Sequence, residues 1–121
     1  MKLISLNAFG GTIFEPLMKF VEEQAATTDV FCFQEIMSSE TSIHLQTERG
    51  MRKNLLQELR HRLSDFQVFF APTQENMDMT PEPGEQTFWG IATFVKNRQT
   101  INHTEDFFIF ICYNTCKPKD Y

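Results

Sequence analysis

The sequence predicts a small α/β domain in which two main helices pack on one β-sheet. Residues 29–35, Asp-Val-Phe-Cys-Phe-Gln-Glu, contain four consecutive apolar residues, which is typical of a strand buried on both faces. A strand and an amphipathic helix precede this run, and further apolar stretches follow it. The chain has 121 residues, of which 41% are hydrophobic, so we expect one globular domain spanning 1–121.

The charge of the chain restricts its partners. A formal net charge of −5 argues against a protein that holds nucleic acid by bulk electrostatics. It does not exclude a nuclease, because an acidic metal site can bind a phosphodiester through its cation. Between Arg62 and Lys96 the sequence has acidic residues but neither Lys nor Arg.

The cysteines and the N-terminus indicate a reduced, cytoplasmic setting. Cys32 lies in the apolar run and is expected to be a core residue. Cys112 and Cys116 lack the second pair that a zinc site would need. The apolar run after Lys2 is too short for a signal peptide, and no run approaches membrane-spanning length.

The first strand is predicted at residues 2–7 and ends in Asn7. Asn7 can orient a ligand or cap the following turn, and its position favours the turn. The pair Gly10-Gly11 allows a tight turn or a close backbone approach, without either glycine-rich phosphate-binding fingerprint.

The first helix is predicted to start near Pro16. Thr12 and Glu15 have capping-box spacing, but Pro16 disfavours helical geometry at Glu15. Apolar residues recur at helical spacing from Leu17 to Ala25. The resulting strand–helix–strand unit is most economically a right-handed parallel crossover.

Glu35 is the main candidate for a functional carboxylate. It is predicted to emerge where the central strand ends, at the edge of the sheet where layered α/β folds hold ligands and metals. The alternative is a surface Glu that follows a core strand, and this stretch alone does not separate the two.

The segment from 38 to 63 contains two polar groupings. Glu40, His44 and Glu48 are spaced by four residues, and a solvated helix face is favoured over a metal site. A second helix is predicted from the apolar positions Met51, Leu55, Leu56, Leu59 and Leu63. Its basic side chains are expected to be solvated: Arg52, Lys53, Arg60, His61 and Arg62.

Three further strands are predicted in the last half of the chain. The first covers 66–71 and is closed by Pro72, and a turn-rich loop follows at 73–87. The next covers Phe88–Lys96, where Gly90 suggests that a neighbouring chain segment packs closely. The last covers 106–113.

These features together resemble a known family. A strand ending in Asn7, a helix and the run 29–35 resemble the opening of the endonuclease/exonuclease/phosphatase superfamily, which includes DNase-I-like nucleases and inositol-phosphate phosphatases. The stretch Phe-Trp-Gly-Ile-Ala-Thr-Phe-Val-Lys at Phe88–Lys96 is similar to the family's next strand. The matches cover most of this chain but about the N-terminal half of the family's domain.

The resemblance implies a fold and a chemistry. The family's fold is a four-layer αββα sandwich, so this half would be one mixed sheet with two main helices on one face. The family hydrolyses phosphoesters, in nucleic acid or small phosphate esters, with Mg²⁺ or Mn²⁺. Glu35 would then be a metal ligand, and Asn7 would help to hold the metal or the scissile phosphate, so that both are the implied catalytic residues. Gln34 is expected to form strand-end hydrogen bonds.

The chain departs from the family in its missing second half. Three elements of the family's site have no counterpart here: a later His, a Gly-Asp-Phe-Asn-like segment, and a Ser-Asp-His-like segment with the general base. The histidines of this chain, His44, His61 and His103, lie outside any matching motif. We therefore expect a truncated form that is inactive alone, or alternatively a non-catalytic binding or assembly module. Either form would leave one sheet face uncovered, which predicts marginal stability or self-association.

Overall fold

Four strands form one mixed sheet in a computed structural model that describes residues 1–39, 46–75 and 84–105. The strands are β1 (Leu3–Asn7), β2 (Val30–Ser38), β3 (Phe66–Glu75) and β4 (Phe88–Lys96), in the spatial order β1-β2-β4-β3. Two α-helices accompany them, α1 (Phe14–Ala25) and α2 (Leu55–Arg62), and a short 3-10 helix covers Phe9–Gly11. The predicted class, a mixed sheet with two helices, is confirmed.

The strand–helix–strand prediction is also confirmed. β1 pairs with β2 in parallel, from Leu3 opposite Val30 to Asn7 opposite Gln34. β4 pairs antiparallel with both β2 and β3, so it lies between two strands that precede it in the chain. This arrangement makes β2 and β4 the two central strands.

Both helices pack on the same face of the sheet. Phe31 and Phe33 project towards them and stack, with ring centroids 5.4 Å apart, and Phe94 meets Phe33 edge-on at 5.7 Å. These aromatic side chains share one buried cluster with the apolar faces of α1 and α2. The helical members of the cluster are Leu17, Met18, Val21, Leu55, Leu56 and Leu59.

The other face of the sheet has no layer over it within the described residues. Side chains alternate along a strand, so Val30 and Cys32 of β2 point away from the helices and are half-buried. Ile91 of β4 projects from the same face and is 42% exposed. The expectation that β2 is buried on both faces is therefore wrong for this side, and Cys32 lies outside the helix-covered core.

The boundaries of three elements differ from prediction. β3 runs through Pro72 to Glu75, because β3 is an edge strand and its register with β4 shifts between Pro72 and Gln74. α1 starts at Phe14, with Pro16 in its first turn and no side-chain cap. α2 starts only at Leu55, and Glu48 lies in a turn.

Gly90 confirms the predicted close approach. It lies opposite Pro72 in the β3–β4 ladder, and a Cβ atom built at Gly90 would stand 2.2 Å from the Ala71 carbonyl oxygen. Any side chain at position 90 would push the two strands apart.

Several predictions fall outside the described residues. They concern Glu40 and His44, Cys112 and Cys116, most of the loop at 73–87, and the strand at 106–113. In the part of the chain that is described, no helix is both long enough and apolar enough to cross a membrane.

Candidate functional site

The sheet brings Asn7 and Glu35 next to each other. Asn7 is the last residue of β1 and pairs with Gln34, and Glu35 directly follows Gln34. The backbone N–H of Ala8 donates to the Gln34 carbonyl oxygen at 2.9 Å, which extends this contact by one residue. Asn7 and Glu35, which were identified independently from the sequence, therefore lie on neighbouring strands and are offset by one residue.

The prediction that Glu35 lies at the end of its strand is wrong. β2 continues to Ser38, and Glu35 lies in an irregularity where the register with β4 shifts between Phe33 and Ile36. The parallel ladder with β1 stops at Gln34, so the irregularity begins where β2 loses that partner. Bulges of this kind re-aim side chains and recur next to active sites.

The backbone on both sides of this junction is strained. Glu35 has φ 57° and Phe9 has φ 51°, and these are the two non-glycine residues with positive φ among the described residues. Left-handed geometry is costly for side chains of this size and tends to persist at functional sites. Both strained residues lie within two positions of the Asn7–Gln34 pair.

Asn7 caps the turn that follows β1, which was the favoured prediction. Its Oδ1 atom accepts a hydrogen bond from the Phe9 backbone N–H at 2.8 Å. The glycine pair then allows the close approach that the sequence suggested. A Cβ atom at Gly10 would stand 2.9 Å from the Met51 side chain, and the Gly10 carbonyl oxygen accepts from the Arg52 N–H at 2.8 Å.

The carboxylate of Glu35 is available to a ligand. Glu35 is half-buried, and no described residue forms a hydrogen bond or an ion pair with its carboxylate. The neighbouring Gln34 has the structural role expected for it, because its Nε2 atom donates to the Ser5 hydroxyl at 2.9 Å.

Arg52, which lies shortly before α2, is already paired with a carboxylate. Arg52 donates through Nε to Glu58 at 3.0 Å, and its guanidinium carbon lies 4.1 Å from the centre of the Phe14 ring. The hydrogen bond to Glu58 raises the pKa of Arg52, although burial opposes this shift. Arg52 therefore stabilises the α1–α2 junction and is not a free clamp for a phosphate.

The prediction that the basic side chains near α2 are solvated is wrong for Lys53. Its side chain is 7% exposed, and its Nζ atom donates to both carboxylate oxygens of Glu85 at 3.0 Å. The sequence carries no periodic signal for this pair, since 32 positions separate its members and neither lies in a helix or strand.

Asp29 is a second carboxylate that the sequence left without a role. Its Oδ2 atom accepts from the Lys2 backbone N–H at 2.7 Å, and its Oδ1 atom accepts from Arg98 and from Gln99. The Lys2 hydrogen bond, and then the Arg98 hydrogen bond, hold the pKa of Asp29 well below its usual range, although burial opposes them. Asp29 directly precedes β2, far from Glu35 along the strand, and its carboxylate oxygens serve these structural hydrogen bonds.

Within the described ranges, no three or more His, Cys, Asp or Glu side chains gather into a possible metal centre. The junction of β1 and β2 supplies one carboxylate that is not paired with any described residue, that of Glu35, and the amide oxygen of Asn7, which already accepts one hydrogen bond. Such hard oxygen donors suit Mg²⁺, which keeps several waters when few protein groups bind it. The donor set thus fits part of a magnesium site.

No protein-family model matches the chain, and neither the curated proteins nor the solved structures include one that is significantly similar to it.

Proposed function

We propose that the chain carries the first part of a divalent-metal phosphoesterase site and is related to the endonuclease/exonuclease/phosphatase superfamily. One observation carries the proposal. Asn7 pairs with Gln34 at the β1–β2 junction, and Glu35, whose carboxylate has no partner among the described residues, directly follows Gln34, with strained backbone on either side.

In this proposal Glu35 holds Mg²⁺, or Mn²⁺ in its place, through a carboxylate oxygen. The bound ion would polarise a phosphoryl oxygen and stabilise the charge that builds on the leaving oxygen. Asn7 already uses Oδ1 to cap its turn, so its amide N–H groups are the atoms that can donate to a phosphate oxygen. The substrate is a nucleic acid or a small phosphate ester.

The described residues supply no general base for this site. His61 lies on α2 near Gln57, and His103 is exposed beside Glu105. Without a positioned base or a second metal ligand, we expect negligible turnover from these 121 residues. The proposal for this chain therefore concerns metal binding first.

Metal binding is tested with Mn²⁺ as a paramagnetic probe. We expect Mn²⁺ to broaden the amide resonances of residues near Glu35, and Mg²⁺ to compete with it. Glu35→Gln should abolish the effect, because the amide keeps the shape but loses the charge. Glu23→Gln removes an exposed carboxylate on α1 and should leave the broadening unchanged. Broadening that survives in Glu35→Gln would refute the assignment.

A second candidate function is a non-catalytic assembly module in a reduced, cytoplasmic setting. The observation that favours it is the half-exposed apolar face of the sheet, which includes Val30, Cys32 and Ile91. If Mn²⁺ fails to bind near Glu35 while the chain forms a defined oligomer, this function replaces the first.

A further inference from the structure

Exposed apolar side chains concentrate at one edge of the sheet. Among the described residues, six large apolar side chains are strongly exposed, and five of them surround β1; only Ile91 lies elsewhere. We call these five the β1-edge patch. Its members are Met1 at 95%, Leu3 at 53%, Phe9 at 63%, Ile13 at 62% and Phe20 at 37% exposed. Single exposed apolar residues are ordinary, but three members of this patch, Phe9, Ile13 and Phe20, line the same groove beside Leu6 of β1.

A shallow groove runs through the β1-edge patch. It has a volume of about 270 Å³ and lies between the end of β1 and the start of α1. Its walls are almost entirely apolar and include Leu6, Pro16 and Leu17 besides three patch members. A groove of this kind accepts apolar side chains and offers little to a charged ligand.

The backbone of β1 is open along the same edge. The Lys2 carbonyl oxygen accepts a hydrogen bond from the Val30 N–H, and the Ala8 N–H donates one to the Gln34 carbonyl oxygen. Residues of a strand alternate in the side to which their backbone groups point, so Ile4 and Leu6 also face β2. Leu3, Ser5 and Asn7 must then direct their N–H and C=O groups to the outer edge, where no described strand pairs with them.

The two edges of the sheet differ in how well they are protected against pairing with a strand of another molecule. The β3 edge has Pro72, a register shift and an exposed Glu75, which are the devices that natural sheets use against edge pairing. The β1 edge has none of them, since Leu-Ile-Ser-Leu-Asn contains neither a charge, a proline nor a bulge. Within the described residues, the β1 edge therefore presents fewer obstacles to pairing with another strand than the β3 edge does.

We propose that β1 pairs antiparallel with β1 of a second copy of this chain, about a two-fold axis at Ser5. The outer edge requires an uncharged extended segment with apolar side chains, and β1 itself has that composition. With Ser5 opposite Ser5, Leu3 lies opposite Asn7, so every outward backbone group finds a partner. No like charges face each other within the pair, and a two-fold arrangement closes after two copies.

This dimer does not rest on the phosphoesterase proposal: it uses the backbone N–H and C=O groups of Asn7, but neither its side chain, Glu35 nor a metal. It also differs from association through the sheet face, since it extends the sheet from four strands to eight. The two modes therefore respond to different substitutions.

Sedimentation velocity on the 121-residue chain tests the proposal, with loading concentrations up to about 0.1 mM to cover micromolar dissociation constants. We expect a monomer–dimer equilibrium. Ser5→Pro should give a monomer, because it removes an outward N–H that the β1–β2 ladder does not use. Ser5→Lys should do the same by placing two like charges opposite each other. Gln67→Lys adds the same charge to the β3 edge and should leave the dimer intact.

Amide hydrogen exchange gives a second readout that needs no variant. Protection of Leu3, Ser5 and Asn7 should rise with protein concentration, while Ile4 and Leu6 should be protected at every concentration. A wild-type chain that stays monomeric over this range would overturn the proposal. So would a dimer that persists in Ser5→Pro, or outward amides whose protection is independent of concentration.

Discussion

At the scale of single residues, Asp29 links the two ends of the described chain through one carboxylate. It accepts hydrogen bonds from Lys2 near the N-terminus and from Arg98 and Gln99 after β4. Each of these donors favours the ionised form, so the pKa of Asp29 is lower in the folded chain than in the unfolded one.

The depressed pKa of Asp29 predicts a pH dependence of stability. The contribution is present above the unfolded pKa of about 4 and is lost as the pH falls below that value. Asp29→Asn should lower the free energy of unfolding at pH 7 and flatten its decline below pH 4. Urea denaturation at several pH values measures both effects. Glu23→Gln is the control, and equal slopes for the wild type and Asp29→Asn would contradict the prediction.

Residue roles set by local geometry could be predicted from the sequence. Asn7 caps its turn, and Gly90 marks a close strand contact, because both roles depend on a few neighbouring positions. The position of Glu35 in a bulge could not be predicted, since it depends on where β1 stops beside β2. The burial of Lys53 could not be predicted, because its partner Glu85 is distant in sequence and no pattern near Lys53 indicates the pair.

At the scale of elements, the Lys53–Glu85 pair joins the segment before α2 to the segment before β4. Both side chains are almost fully buried, so a single substitution leaves one charged group without this counter-ion. Removing one member of a buried pair typically costs about 3–5 kcal/mol, whereas replacing both by apolar residues is often nearly neutral.

We therefore expect Lys53→Met to destabilise the fold by about 3 kcal/mol, measured by chemical denaturation. The double variant Lys53→Met/Glu85→Leu should recover much of that loss. The matched control is Lys19→Met, which removes a lysine from an exposed pair with Glu23 on α1 and should cost under about 1 kcal/mol. Additive losses in the double variant would show that the two side chains are not coupled.

Element types were more predictable than element ends. The apolar residues of β2 and β4 identify strands because a short buried strand needs little beyond its own composition. The sequence predicts that Pro72 ends β3, but an edge strand tolerates a proline, and the register of β3 with β4 shifts directly after it.

At the scale of the whole molecule, the two faces of the sheet are unequal. The helix-covered face holds the core cluster, while the other face leaves Ile91 42% exposed. The helices on one face could be predicted from their apolar spacing, whereas the apolar run of β2 gave no sign that Val30 and Cys32 on the other face are only half-buried.

Ile91→Lys tests whether this face drives association beyond the dimer. Because Ile91 is partly exposed, we expect the substitution to change the free energy of unfolding of the protein by under about 1 kcal/mol. The concentration at which the protein precipitates should rise more than in Gln67→Lys, which adds the same charge on the β3 edge. Equal increases in both variants would indicate a general effect of charge rather than of this face.

The strand order has a consequence for synthesis on the ribosome. β2 and β3 do not pair with each other, and both require β4, which follows them in the chain. Until Phe88–Lys96 has left the exit tunnel, the nascent chain carries a β1–β2 pair and a separate β3 with no common partner. A truncation before Phe88 would therefore leave β3 without a strand partner beside the β1–β2 pair. We expect the growing chain to depend on chaperones until β4 has been made.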